Sequence, residues 1–220
     1  MKKSLIAFAG LFAIVAVVVG WQFKPMPYRA TGLGDRAFTI ECDFDKFRQM
    51  MVRLNATKAI VNHGGMELIS ESVDSLDLDT SKDDRPLLNA IRGTSKSELD
   101  ATKTIKVSVN DPHIDNTELT LRQRANVSEN RIDVTTESIG EQDSIKAYAT
   151  SLVATANGDN TDVQLDLRME IEVSVPKMFR SRADQQVTQS VADALAQQQE
   201  AITQFVIENC GKRLILPSLK

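Results

Sequence analysis

The segment "TDVQLDLRMEIEVSV" (161–175) alternates apolar and polar residues almost without a fault. Val163, Leu165, Leu167, Met169, Ile171 and Val173 share one side, and Gln164, Asp166, Arg168, Glu170 and Glu172 share the other. A period of two marks a strand with one wet face and one face that must be covered. A few residues later the period becomes helical. Ser181, with Asp184 three residues on, reads as a capping box that opens a Gln- and Ala-rich helix, which runs to Cys210 and stops at Gly211. Val187, Val191, Ala194, Leu195, Ile202, Phe205 and Val206 form its apolar stripe. Burying that stripe is worth roughly 10 kcal/mol before chain entropy is subtracted. The helix is therefore the expected cover for the strand's apolar face.

The preceding segments supply more of the same sheet. "RAFTIEC" (36–42) alternates as a strand, and Asp43 is a plausible cap for a helix carrying Phe44, Phe47, Met51 and Leu54. "NHGG" (62–65) ends the helical region, which has room for a second short helix at 56–61. Strand patterns then start at Met66, in "TIKVSV" (Ile105, Val107, Val109), at Thr117, at Arg131 and at Ser144. "NGDN" (157–160) is a hairpin turn into the strand quoted above. Residues 79–103 carry little pattern and read as an insertion, with one short helix in "RPLLNAIRG". Consecutive strands with short turns pair antiparallel.

The first 21 residues are different. Lys2 and Lys3 precede "SLIAFAGLFAIVAVVVGW" (4–21), which has no charge and no proline. As a helix it would rise about 27 Å, close to the hydrocarbon thickness of a bilayer. A membrane anchor is preferred to a cleaved signal peptide, because the apolar run is long and Val18-Val19-Gly20 is a poor cleavage site. Residues 22–35, with two prolines and two glycines, read as a linker. One domain, 36–216, follows, and an N-terminal anchor most often leaves such a domain outside the cytoplasm. The net charge of −4 and an aromatic content of 5% argue against a nucleic-acid partner.

A strand, two small helices, six antiparallel strands and a long C-terminal helix resemble the START-like (SRPBCC) superfamily, which includes Bet v 1-like proteins, polyketide cyclases and lipid-transfer domains. The resemblance implies an α+β helix-grip fold: a curved antiparallel sheet of about seven strands around the last helix, with short helices after the first strand. It also implies an apolar cavity between helix and sheet that holds a lipid or another hydrophobic molecule. In that fold the first strand ends near the far end of the last helix. Cys42 and Cys210, the only cysteines, are therefore expected to form a disulfide, which an extracytoplasmic setting permits.

Gln198 projects within about 20° of the centre of the helix stripe, and Gln123 shares alternation with Leu119 and Leu121. Both are candidate polar contacts for a cavity ligand, or partners of neighbouring polar groups. Ala147 and Ala149 would leave space on the strand from Ser144, or simply let the helix approach. Leu195, Ile202 and Met169 complete the expected cavity wall. His113, in "DPHIDN", is read as part of a polar turn rather than a metal site, and neither a metal nor another cofactor is expected. With no catalytic constellation and no ionisable group on the expected inner face, binding is preferred to catalysis. The expected function is a membrane-tethered, non-catalytic domain that binds a lipid or other hydrophobic small molecule. The alternative is an envelope protein–protein interaction module with a packed interior.

Overall fold

The computed structural model describes residues 23–53, 56–63, 66–86, 88–89, 95–111, 114–140 and 144–211. The anchor expected at 4–21 lies outside them, as does His113. Among the described residues no helix is long and apolar enough to cross a membrane.

The chain runs β1 (Met26–Ile40), α1 (Phe44–Arg53), α2 (Ala56–His63), β2 (Met66–Asp79), β3 (Glu98–Asp111), β4 (Ile114–Val127), β5 (Arg131–Ser138), β6 (Ile145–Asn157), β7 (Asn160–Val175) and, after a short 3-10 turn at Lys177–Phe179, α3 (Arg180–Cys210). The strands form one antiparallel sheet in the order β1-β7-β6-β5-β4-β3-β2. The alternation of β7 decides its orientation: Thr161, Val163, Leu165 and Leu167 are buried, while Gln164 and Arg168 are exposed. Asn157 and Asn160 pair across the expected hairpin, whose Gly158 takes the left-handed φ of 60° that a tight turn needs. Asp43 opens α1 by accepting from the amides of Asp45 and Lys46, and the helix buries Phe44, Phe47 and Met50. The edge strand β2 is long but broken by irregularities between Leu68 and Ser70 and between Val73 and Ser75, which blunt it as a template for further pairing.

Three readings of the sequence need correction. The segment read as a linker is mostly strand: β1 begins at Met26 and pairs with β7 along its whole length. Its glycines are there for close approach. A Cβ on Gly32 would lie 2.7 Å from the carbonyl oxygen of Val187, and one on Gly34 would lie 2.9 Å from Val191 Cγ1. The helix, too, starts without the expected capping box. Phe179 is its N-cap and makes no side-chain bond. Asp184 instead accepts from the Tyr28 hydroxyl (2.8 Å) and the Thr31 amide (3.2 Å), tying the second turn of α3 to β1. Finally, the insertion is shorter than 79–103, because Asp79 pairs with Glu98 and Lys103 already faces Val73. The connecting loop is organised by buried Asp83, which accepts from the amides of Arg85 and Lys96 and the side chains of Asn89 and Ser95.

The expected bridge is not formed: Cys42 and Cys210 are free thiols, with their sulfurs 2.9 Å apart. Burial, then the contact with Cys210, pushes the Cys42 thiol up to about 12. Because the two sulfurs face each other, mild oxidation is expected to join them within one chain and leave no alkylatable thiol. Covalent dimers on a non-reducing gel, or two thiols still free after oxidation, would contradict this placement.

Candidate functional site

α3 lies against β1 and β7, where the bare backbone at Gly32 and Gly34 lets Val187, Val191 and Leu195 come close. Pressed to that side, it leaves space over the middle of the sheet. Ala194, Gln198 and Ile202 face this space from the helix, and with β2–β6, α1 and α2 they enclose a cavity of about 640 Å³. That size is typical of small-molecule sites.

Strand register sorts the cavity floor into rows. One row, Ala101–Ala125–Val134–Leu152, is apolar, as are the neighbouring Ile105 and Leu121 and, on the other side, Leu99, Val127 and Ile132. Between them runs a polar row, Lys103–Gln123–Thr136–Thr150, one residue from each of four adjacent strands. Lys103, Gln123 and Thr136 are joined, the first two through Thr57. Gln123 Nε2 donates to Thr136 Oγ1 at 3.1 Å, and the Thr57 hydroxyl of α2 donates to Gln123 Oε1 at 3.4 Å. Lys103 Nζ donates to Thr57 Oγ1 at 2.5 Å and to Glu71 Oε1 at 2.6 Å. Lys103 and Glu71 are both part of the cavity wall. The expectation that the inner face lacks ionisable groups is therefore wrong. Extending the Ile105, Val107 alternation back by two residues reaches Lys103, the last residue of the segment that reads as an insertion.

At the rim Val73 (65% exposed), Leu76 (67%) and Leu78 (58%) of β2 extend the apolar wall into solvent. These exposed apolar side chains of the edge strand mark the side on which the cavity wall meets solvent.

Of the candidates read from the sequence, Gln198, Gln123 and Ile202 line the cavity, and the other four are not among its wall residues. Leu195 is buried against β1 beside Gly34. Met169 is partly buried between the main core and the small cluster around Ala30, Ala183 and Val187. Ala147 and Ala149 pair with Glu170 and Arg168 on the outer face, where Ala149 lines a shallow groove of about 520 Å³. The cause is an irregularity between Ile145 and Ala147, which shifts the alternation of β6. Beyond it Tyr148, Thr150 and Leu152 point inward.

Tyr148 is buried in the cavity wall, and burial pushes its phenol up to about 12. Tyr28 is also raised, chiefly because its hydroxyl donates to Asp184 and then by burial. A group whose folded pKa lies above its unfolded value stabilises the fold below the unfolded pKa and loses that contribution as pH rises. The domain is thus expected to lose stability from about pH 10 towards 12, with tyrosinate absorbance rising together with unfolding. These are the chain's only tyrosines, so absorbance that titrates fully near pH 10 in the folded state would contradict the burial of Tyr148 and the bond from Tyr28 to Asp184.

No protein-family model matches the chain, and no curated protein does. Solved structures similar in fold include Ara h 8.0201 (11% identity, TM-score 0.43, covering 82% of this chain and 100% of that one). Truncated norcoclaurine synthase from Thalictrum flavum is 12% identical with a TM-score of 0.44, over 82% of this chain and 96% of that one. An aromatase/cyclase from a Streptomyces species is 7% identical with a TM-score of 0.47, over 84% and 96%. With seven antiparallel strands, two small helices after the first of them and a long C-terminal helix held against the sheet, this chain has a helix-grip fold.

Proposed function

We propose that this domain binds one hydrophobic small molecule or lipid in the space between α3 and the sheet, and that residues 4–21 tether it to a membrane with the domain outside the cytoplasm. The observation that supports the binding reading most is the cavity itself: about 640 Å³ walled by aliphatic side chains from five strands and three helices. An apolar void of that size costs dispersion contacts if left empty, and a ligand restores them. Support for the tether is the uncharged run at 4–21. A tether would hold the exposed rim at Val73, Leu76 and Leu78 near a lipid surface and raise the local concentration of membrane-borne ligand.

The binding reading is tested by titrating the purified full chain with N-phenylnaphthylamine, an uncharged probe that brightens in apolar surroundings, and by competing it with long-chain amphiphiles. Saturable binding of one probe per chain, reversed by competitor, is expected. Absence of saturable binding would contradict it. For the tether, alkaline carbonate extraction of membranes from expressing cells should leave the chain in the pellet; complete release would remove that part of the proposal.

A further inference from the structure

We propose that the occupant is a single-chain amphiphile with an anionic head, and that Lys103 receives the head in the place Glu71 now holds. This rests on the binding reading above and adds the class of ligand. At about 30 Å³ per non-hydrogen atom, the share one water takes in the liquid, a cavity of about 640 Å³ holds on the order of 20 such atoms. That fits one long chain with a small head and is too little for a two-chain phospholipid.

The polar row determines where the head goes. Apolar side chains flank it on both sides, so a chain lying in the cavity meets most of its polar groups along Lys103, Gln123, Thr136 and Thr150, with Thr57 and Glu71 beside Lys103, Gln198 on the helix and the Tyr148 phenol on β6. The end of the row nearest the open rim is the ion pair. Its two halves are held unequally. Lys103 is fixed by Thr57 as well as by Glu71, and it lies on an inner strand. Glu71 lies on the edge strand, with an exposed backbone and a side chain that is 24% exposed against 19% for Lys103.

A ligand anion can therefore take the place of Glu71, which swings into water while the charge at Lys103 stays balanced. A ligand cation would have to expel Lys103 from both of its partners and strand a charge in the wall, which is the costlier exchange. Of the three ammonium hydrogens, two are used by Glu71 and Thr57. The third is available to a second oxygen of a carboxylate or phosphate head.

The experiment competes N-phenylnaphthylamine from the full chain with four amphiphiles of one chain length: hexadecanoate, hexadecyl phosphate, hexadecanol and hexadecylamine. Wild-type protein is expected to prefer an anion over the alcohol by roughly tenfold or more, the worth of one charge-assisted pair. Whichever anion is preferred identifies the head as carboxylate or phosphate. Lys103→Met is expected to reduce the preference to within about twofold, and Glu71→Gln, which removes the internal competitor, to enlarge it. Equal displacement by acid and alcohol, preference for the amine, a preference that survives Lys103→Met, or one that shrinks in Glu71→Gln would overturn the inference while leaving the cavity reading intact. Failure of all four to displace the probe would overturn both.

Discussion

Gly32→Ala is expected to destabilise the domain by about 3 kcal/mol, the upper part of the range for overpacked sites. The added methyl would sit 2.7 Å from the Val187 carbonyl oxygen and 2.8 Å from its carbonyl carbon, both helix backbone atoms. A side chain can rotate away from such a clash, but a helix turn cannot, so α3 must lift from β1 or β1 must bend. Lifting would strain the bonds that the Tyr28 hydroxyl and Thr31 amide donate to Asp184, which pin the same turn. Gly34→Ala meets only the tips of Val191 and Leu195, at 2.9 and 3.0 Å, and should cost clearly less. Urea unfolding of the two variants beside wild type checks the order. A neutral Gly32→Ala would mean that the helix does not rest on this strand.

Ala125→Phe is expected to separate binding from stability. Ala125 stands in the apolar row between Ala101 and Val134 and lines the cavity. A phenyl ring there fills the void without bringing a polar atom that needs a partner, as an indole would. The ring should lower affinity for N-phenylnaphthylamine by roughly tenfold or more, since it occupies the probe's volume at a site where overpacking is relieved by empty space. The melting temperature should hold or rise, because a filled cavity gains dispersion contacts. Unchanged affinity in a folded variant would place the probe elsewhere. A large fall in melting temperature would mean that no void exists at Ala125.

Much of this architecture is readable in the sequence because it depends on repetition. The alternation of 161–175, the turn at 157–160 and the helix stripe each repeat a period over many residues, and each forms where expected. The parts that were not readable depend on single contacts between distant segments. Gly32 and Gly34 look like linker glycines until Val187 and Val191, more than 150 residues away in sequence, come to rest on them. Asp184 has the spacing of a capping residue but bonds to β1, because that strand supplies a hydroxyl and an amide at the right place. One irregularity in β6 turns Ala147 and Ala149 outward and brings Tyr148 in. Gln123 faces the cavity on the same side as Leu121 because β4 is regular from Leu119 through Gln123. Lys103 faces inward in register with Gln123, but the weak pattern of 79–103 hides its place on β3.

The central claim is that a ligand lies between α3 and the inner face of the sheet. A diazirine-bearing hexadecanoic acid, photolysed on the full chain and followed by peptide mapping, tests it most directly, because an apolar N-terminal segment could take up lipid without using the cavity. Label is predicted on peptides carrying Leu121, Ile132, Leu152 and Ile202, with protection by excess hexadecanoate. Label confined to residues 4–21 or to the outer face around Ala149 and Arg168, or label that excess hexadecanoate does not suppress, would contradict the account.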